Sequence, residues 1–209
     1  QGSTFDNTGN INVIRNSNPL SRLDYTIWSS PTTNLALYLK TFSSATLDVR
    51  FNNYDETTNL YSSVVSPNTT PFALGTGYLI RMPDTAPDYP TTVSFAGTFT
   101  GVPNNGNITK AVTYLDATHG YNMVGNPYSS TIDAQTFIAA NTANIESSLY
   151  FWRKINGAAG SAYAVYNPMG GTTATPSSAI PNGTIQVGQG FFVKAKSASN
   201  VSFTNAMRV

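Results

Sequence analysis

The chain has 209 residues, enough for one large β domain or two small ones. Its 11 Lys and Arg residues against 10 Asp and Glu residues give a formal net charge of +1, without the basic stripe that nucleic-acid binding requires. The absence of cysteine excludes disulfides and thiolate metal sites, and no apolar run approaches the roughly 18 residues of a membrane span.

Composition predicts an all-β fold. The chain contains 12 Tyr and 11 Phe residues, and aromatic residues with β-branched neighbours favour pleated, half-buried surfaces. Charged residues make up only 10%, against roughly 25% in typical soluble domains. Ser, Thr, Asn and Gly supply the polarity instead, which is typical of exported β proteins.

In the first half, the segment "YTIWSSP" (Tyr25–Pro31) begins with a predicted strand, "YTIW". The phrase "LGTGYLIRM" (Leu74–Met82) follows, and its glycines predict a turn that enters a strand. The segment "GVPNNGN" (Gly101–Asn107) carries Pro and an Asn-Gly pair, which mark a turn or short linker. We therefore predict a first β repeat over 1–101 and a second over 102–209.

The second half begins with "YNMVGNP" (Tyr121–Pro127) and continues into "SSTIDAQTFIAANTANI", where Ser130–Asp133 has the character of a helix N-terminus. One short helix is expected there. The segment "NPMGGTTATPSSAIPNG" (Asn167–Gly183) predicts a long surface loop. The phrase "VGQGFFVKA" (187–195) then predicts a strand with one inward face.

Two of these phrases occur twice in the same order. "LGTGYLIRM" matches "VGQGFFVKA", and "YTIWSSP" matches "YNMVGNP". A looser third match places Phe95 opposite Phe203. A period near one hundred residues exceeds that of solenoids, so we predict two tandem, mutually similar β-sandwich- or barrel-like repeats. The sequence leaves open whether the repeats share one core.

The sequence context of the candidate reactive residues indicates structural rather than catalytic roles. His119 is the one histidine and lies in a predicted turn that Asp116 caps. The acidic residues are sparse and show no calcium-loop pattern. The paired glycines lack the third glycine and following helix of a dinucleotide site. We expect no catalytic, cofactor-binding or metal-binding residues, and no enzymatic activity.

Aromatic residues are the better candidates for binding, because exposed rings stack on sugars or anchor partners at little entropic cost. Tyr163 and Tyr166 lie among small residues and are expected to be exposed. The predicted ligand-binding set is Trp152, Tyr163, Tyr166, Tyr54 and Tyr61.

The second half, through "YNMVGNPYSSTIDAQTFI", "LYFWRK", "YAVYNPMGGT", "IQVGQGFFVKA" and "VSFTNAMRV", resembles a module of large secreted Bacteroidetes proteins. That module is often found near a C-terminal type IX secretion sorting domain. The first half, through "LDYTIWSSP", "LGTGYLIRMP" and "GTFTGVPNNG", resembles the portion that precedes it. The resemblance implies an extracellular or cell-surface protein and carries over no catalytic residues.

The leading hypothesis is therefore a non-catalytic extracellular β module with a structural or adhesive role in a bacterial surface protein or assembly. The alternative is a carbohydrate-binding module with exposed Tyr and Trp residues, appended to a secreted enzyme or adhesin. Expected partners are a glycan or other surface proteins, and the low charge leaves β edges open to self-association.

Overall fold

The computed structural model describes residues 7–153, 162–174 and 179–209. Within these ranges the chain is mostly β, as predicted, and every paired strand is antiparallel. The strands are β1 (Ile11–Asn16), β2 (Tyr25–Trp28), β3 (Thr32–Thr33), β4 (Phe51–Asp55), β5 (Leu60–Ser63), β6 (Tyr78–Arg81), β7 (Ala96–Pro103), β8 (Ile108–Val112), β9 (Tyr121–Gly125), β10 (Ile132–Asp133), β11 (Ile145–Trp152), β12 (Tyr163–Asn167), β13 (Gly170–Thr172), β14 (Thr184–Ile185), β15 (Gly190–Ala195) and β16 (Ser199–Phe203).

Two α-helices are present in the described residues, α1 (Leu39–Phe42) and α2 (Ala134–Ala140). The predicted helix of the second half is α2, and Asp133 is its N-cap. The single turn α1 was not predicted, because four residues are too few to show helical periodicity. Neither helix is long and apolar enough to cross a membrane.

The first half consists of two sheets around one core. The strand orders are β1-β7-β3 and β2-β6-β4-β5. Apolar side chains from both sheets and from α1 fill the space between them, because alternate residues of each strand point inward. The buried residues of this core are Trp28, Leu37, Leu39, Phe42, Phe51, Tyr78, Ile80 and Phe99.

The second half has its own core between a five-stranded sheet, β13-β12-β11-β15-β9, and the pairs β16-β8 and β10-β14. Helix α2 covers this core with Phe137, whose ring stacks on Phe203 at a centroid distance of 4.9 Å. Ile145, the last residue of the segment "SSTIDAQTFIAANTANI" in which the helix was expected, begins β11 instead. The chain leaves α2 through Asn141, whose amide donates to Ser202 O at 2.9 Å.

The duplicated phrases pair in matching registers. In the first half β2 pairs with β6, and Ile27 lies opposite Leu79. In the second half β9 pairs with β15, and Met123 lies opposite Phe192. These four residues occupy corresponding positions of the two phrases. The correspondence supports the interpretation of the chain as two repeats, which stays a prediction.

Each half also donates a backbone hydrogen bond to the glycine turn of the other. Ser29 N donates to Gly188 O at 3.0 Å, and Gly125 N donates to Gly75 O at 3.0 Å. The aromatic ring of Phe99, from the first core, lies against Gly188 of the second half. The two halves therefore form equivalent hydrogen bonds to each other's glycine turns. The sequence alone did not decide whether the halves contact each other.

Two details of the predicted organisation differ from the structure. Strand β7 runs through the predicted boundary between 101 and 102, because Gly101 pairs with Ile11 and Pro103 pairs with Thr32. The connecting turn is 104–107. The ring of Phe203 lies against Gly75, and the ring of Phe99 lies against Gly188, the equivalent glycine of the other half. The counterpart of Phe203 is therefore Phe99, whereas the sequence match placed Phe95 there.

Candidate functional site

The aromatic residues of the two halves meet in a third apolar cluster, here called the aromatic seam. Strand alternation separates it from the two cores: on β11, Leu149 and Phe151 enter the second core while Tyr150 and Trp152 face the seam. The seam consists of Ile27, Leu79, Met123 and Phe192, with the partly buried Tyr25, Tyr54, Tyr61, Tyr121, Tyr150, Trp152 and Tyr163.

Phe192 of β15 organises the rings in the seam. Its ring centroid lies 4.8 Å from that of Tyr54, 6.1 Å from Tyr61 and 5.6 Å from Tyr163. All three pairs are edge-to-face, with interplanar angles between 83° and 88°. Edge-to-face pairs are favourable because the positive ring edge meets the negative face of its neighbour.

The tyrosine hydroxyls are hydrogen bonded inside the seam. The hydroxyls of Tyr61 and Tyr163 lie 2.5 Å apart and join the two halves. The hydroxyl of Tyr54 donates to Asn59 Oδ1 at 3.0 Å. Burial raises the pKa of Tyr61, and Tyr163 adds to the effect. Burial also raises the pKa of Tyr54 to about 12, so these hydroxyls stay neutral donors at physiological pH.

One part of the seam opens into a cavity of about 390 Å³, here called the tyrosine cleft. It lies between β4 of the first half and the five-stranded sheet of the second. Its size falls within the range of small-molecule sites. The lining residues are Tyr54, Tyr121, Tyr150, Tyr163, Val165 and Phe192.

Charged side chains lie around the tyrosine cleft. Lys194 Nζ is 5.6 Å from the centroid of the Tyr121 ring and 3.2 Å from Glu146 Oε1. Glu56 is buried, and its Oε1 accepts a hydrogen bond from Leu115 N at 2.7 Å. The negative charges of Glu56 and Asp55 contribute, after burial, to the raised pKa of Tyr54.

The structure brings together four of the five predicted binding residues. Tyr54, Tyr61, Trp152 and Tyr163 all belong to the seam, but only Tyr54 and Tyr163 line the cleft. Tyr166 lies on the opposite face of β12 and packs against the second core. Residues three apart in a strand point to opposite sides, so Tyr163 and Tyr166 form no joint platform.

The sequence did not single out Tyr121, Tyr150, Val165 and Phe192 as lining residues. The alternation that links Tyr150 to Trp152 could have indicated Tyr150. The position of Phe192 required knowledge of how the two sheets face each other, which local pattern does not supply.

A protein-family model matches the whole chain, residues 1–209, and its description is Domain of unknown function (DUF8693). The chain belongs to this family. No curated protein matches it. No solved structure matches it either.

In this DUF8693 chain, Asp116 and His119 form a hydrogen-bonded turn. Asp116 Oδ1 accepts hydrogen bonds from the backbone N atoms of Thr118 and His119, and it lies 2.9 Å from His119 Nδ1. These bonds, led by the Thr118 side chain, lower the pKa of Asp116. The carboxylate therefore holds the turn, as the sequence predicted. No group of three or more potential metal-binding side chains occurs in the described residues.

The duplicated glycines close turns rather than cradle an anion. Gly188 has a φ of +65°, a left-handed conformation that glycine adopts without strain. Its carbonyl oxygen accepts hydrogen bonds from Ser29 N and from Arg15 Nη1 at 2.8 Å. A strand follows, whereas a phosphate loop would present N–H groups at the start of a helix.

Proposed function

We propose that the chain is a non-catalytic extracellular module with a structural or adhesive role in a bacterial surface protein or assembly. The aromatic seam carries the proposal. It joins the two halves through edge-to-face rings and the Tyr61–Tyr163 hydroxyl contact. The two exchanged backbone hydrogen bonds connect the halves as well. Packing of this kind resists relative motion of the halves, which suits a rigid building block.

The packing of two predicted binding residues supports the same structural role. Tyr61 and Trp152, which the sequence predicts to contact a ligand, pack against each other at a centroid distance of 6.0 Å. The low charge and the resemblance to secreted Bacteroidetes modules support an extracellular or cell-surface location.

The carbohydrate-binding alternative stays a prediction. It is favoured by one observation, the opening of the tyrosine cleft beside Tyr54 and Tyr163. A polysaccharide panel tests it, with Tyr163→Ala as the cleft variant and Tyr166→Ala as the matched control on the opposite face of the same strand. Saturable binding that only Tyr163→Ala abolishes would support a lectin-like module.

Single-molecule force extension tests the structural role. The chain is placed between handle domains of known mechanical strength and stretched from its two ends. We expect the two halves to give way in one step, because neither keeps its exchanged hydrogen bond once the other has opened. Two separate steps at clearly different forces would contradict a single rigid unit.

The adhesive and extracellular parts of the proposal need cellular measurements. Antibodies against the chain should label intact cells of the source organism without permeabilisation. Beads coated with the chain should also attach to those cells or to each other more strongly than beads coated with an unrelated β protein. Labelling only after permeabilisation, or equal attachment of the two kinds of bead, would argue against the role.

A further inference from the structure

The tyrosine cleft has features that select among ligand classes. Its walls are rings from both halves that stand nearly perpendicular to one another: Tyr54 and Phe192 at 83°, and Tyr121 and Tyr150 at 75°. Perpendicular rings enclose a compact group from several sides. A pyranose, which is a flat disc, is better served by one extended ring face or by two parallel faces.

The polar groups of the cleft already have partners. The Tyr54 hydroxyl donates to Asn59, and the Tyr163 hydroxyl contacts that of Tyr61. The Tyr150 hydroxyl interacts with Tyr121 and Ser148. A sugar has several hydroxyls that need hydrogen bonds once they leave water, and these walls supply few. A ligand that needs no hydrogen bonds fits the walls better.

The charges around the cleft favour a cation. Glu56 is buried two residues after Tyr54, and its negative charge adds to the raised pKa of the Tyr54 hydroxyl. Within the described ranges, Lys194 is the cation in contact with the cleft walls, and its Nζ lies 3.2 Å from Glu146 Oε1, which neutralises it. Its Nζ lies over the face of Tyr121, so one ring of the cleft already binds a cation within the chain. Aromatic faces attract cations through the ring quadrupole, most strongly where water is excluded.

We propose that the tyrosine cleft binds an organic cation of the quaternary-ammonium class, such as a choline-type headgroup or a methylated amine. Tyr54, Tyr150, Tyr163 and Phe192 supply the ring faces, and the buried carboxylate of Glu56, two residues after Tyr54, supplies the complementary charge. The inference does not rest on the structural or adhesive role, since a rigid module can carry a small-molecule site.

The first experiment compares charged and uncharged probes on the intact chain by titration calorimetry and saturation-transfer NMR. The probes are tetramethylammonium, choline, the neutral carbon isostere 3,3-dimethylbutan-1-ol, and cellobiose. We expect choline and tetramethylammonium to bind saturably, and choline to bind at least about tenfold more tightly than its isostere. Cellobiose should not compete with either.

Variants place the binding in the cleft. Tyr54→Leu removes a ring face and should weaken choline binding at least about tenfold, whereas Tyr54→Phe keeps the face and should stay within roughly threefold of the wild type. Tyr166→Leu, on the core side of β12, is the matched control and should bind like the wild type. Circular dichroism confirms that each variant is folded.

Three results would overturn the inference: equal affinity for choline and its isostere, binding of cellobiose without binding of the ammonium probes, or no binding of any probe. The comparison of choline with its isostere needs only the wild-type chain, so it decides the question even if Tyr54→Leu fails to fold. None of these results changes the force-extension outcome, which tests the structural role separately.

Discussion

Gly190 has no room for a side chain, because a Cβ atom there would overlap Cγ2 of Ile27 from the other half. Its counterpart Gly77 is similarly confined, with Met123 Cγ 2.8 Å from the site of a Cβ. The two glycines thus allow the strands of the duplicated phrases to approach each other. This close contact explains the glycine at the second position of each pair.

The substitution Gly190→Ala should therefore destabilise the chain by about 1–3 kcal/mol, the usual range for an overpacked core site. Urea denaturation followed by tryptophan fluorescence measures the loss. A double-mutant cycle with Ile27→Ala identifies the cause: the double variant should lose less free energy of unfolding than the sum of the two single losses. Simple additivity would show that the two side chains do not compete for this space.

At the scale of the element, α2 depends on its N-cap residue, Asp133. Asp133 Oδ1 accepts hydrogen bonds from Thr136 N and Thr136 Oγ1, both at 2.7 Å. Asp133→Ala removes the acceptor and should cost about 1 kcal/mol of unfolding free energy, whereas Asp133→Asn retains an acceptor and should cost less. Urea denaturation of the two variants checks this order. Equal losses would mean that the charge, rather than the cap bond, stabilises the helix.

The aromatic seam gives the chain a specific response to alkaline pH. Burial raises the pKa of Tyr54 and of Tyr150 to about 12 and raises the pKa of Tyr61 and Tyr163. Because these folded-state pKa values exceed the unfolded value of about 10, the neutral seam contributes its full stability below about pH 10. That contribution is lost as the pH rises through the folded-state values.

We expect the free energy of unfolding to fall steeply above about pH 10, and Tyr61→Phe to make the fall shallower because it removes one ionisable group. Urea unfolding at a series of pH values from about 8 to 12 measures both slopes. Tyr89→Phe, at an exposed tyrosine, is the matched control. Identical slopes for Tyr61→Phe and the wild type would show that ionisation of Tyr61 does not contribute to the alkaline sensitivity.

The elements also show how far the sequence could predict this structure. The phrases at β2, β6, β9 and β15 predicted strands whose registers agree, because glycines, aromatic residues and alternation are local signals. The Tyr61–Tyr163 contact joins residues 102 positions apart and depends on how two sheets face each other. No local pattern contains that information. The cleft, built from six residues of both halves, could not be predicted for the same reason.

At the scale of the whole molecule, the open sheet edges favour self-association. Among the described residues, strands β1, β5 and β13 each pair with a single neighbour. Ile14 on β1 is 64% exposed, and charged residues that would discourage edge pairing make up only 10% of the chain. Pairing of β1 with a second copy would extend the β1-β7-β3 sheet.

Sedimentation velocity over a range of concentrations should accordingly show reversible association. Ile14→Lys should weaken it roughly tenfold, because a lysine opposes strand pairing at a sheet edge. Leu35→Lys is the control, since Leu35 is 79% exposed and lies in a turn. A monomer at all concentrations, or equal effects of the two variants, would exclude association through β1.

The hydrogen bonds between the two halves lead to a final prediction about folding. Ser29 N donates to Gly188 O, and Gly125 N donates to Gly75 O, so each half lacks a backbone partner without the other. Each separated half would also expose the rings that the seam buries. An unpaired backbone group and newly exposed apolar surface would both destabilise a separated half of 103 or 106 residues.

Neither fragment, 1–103 nor 104–209, should therefore give a native near-ultraviolet circular dichroism spectrum alone, although each contains one tryptophan. Mixing the fragments should restore the spectrum, because the seam and both exchanged hydrogen bonds can re-form across the break in the 104–107 turn. A variant pair with Phe192→Ala in the second fragment should associate much more weakly, since that ring contacts Tyr54 and Tyr61 of the first. Fragments that fold independently and do not associate would show that the two halves are separate domains.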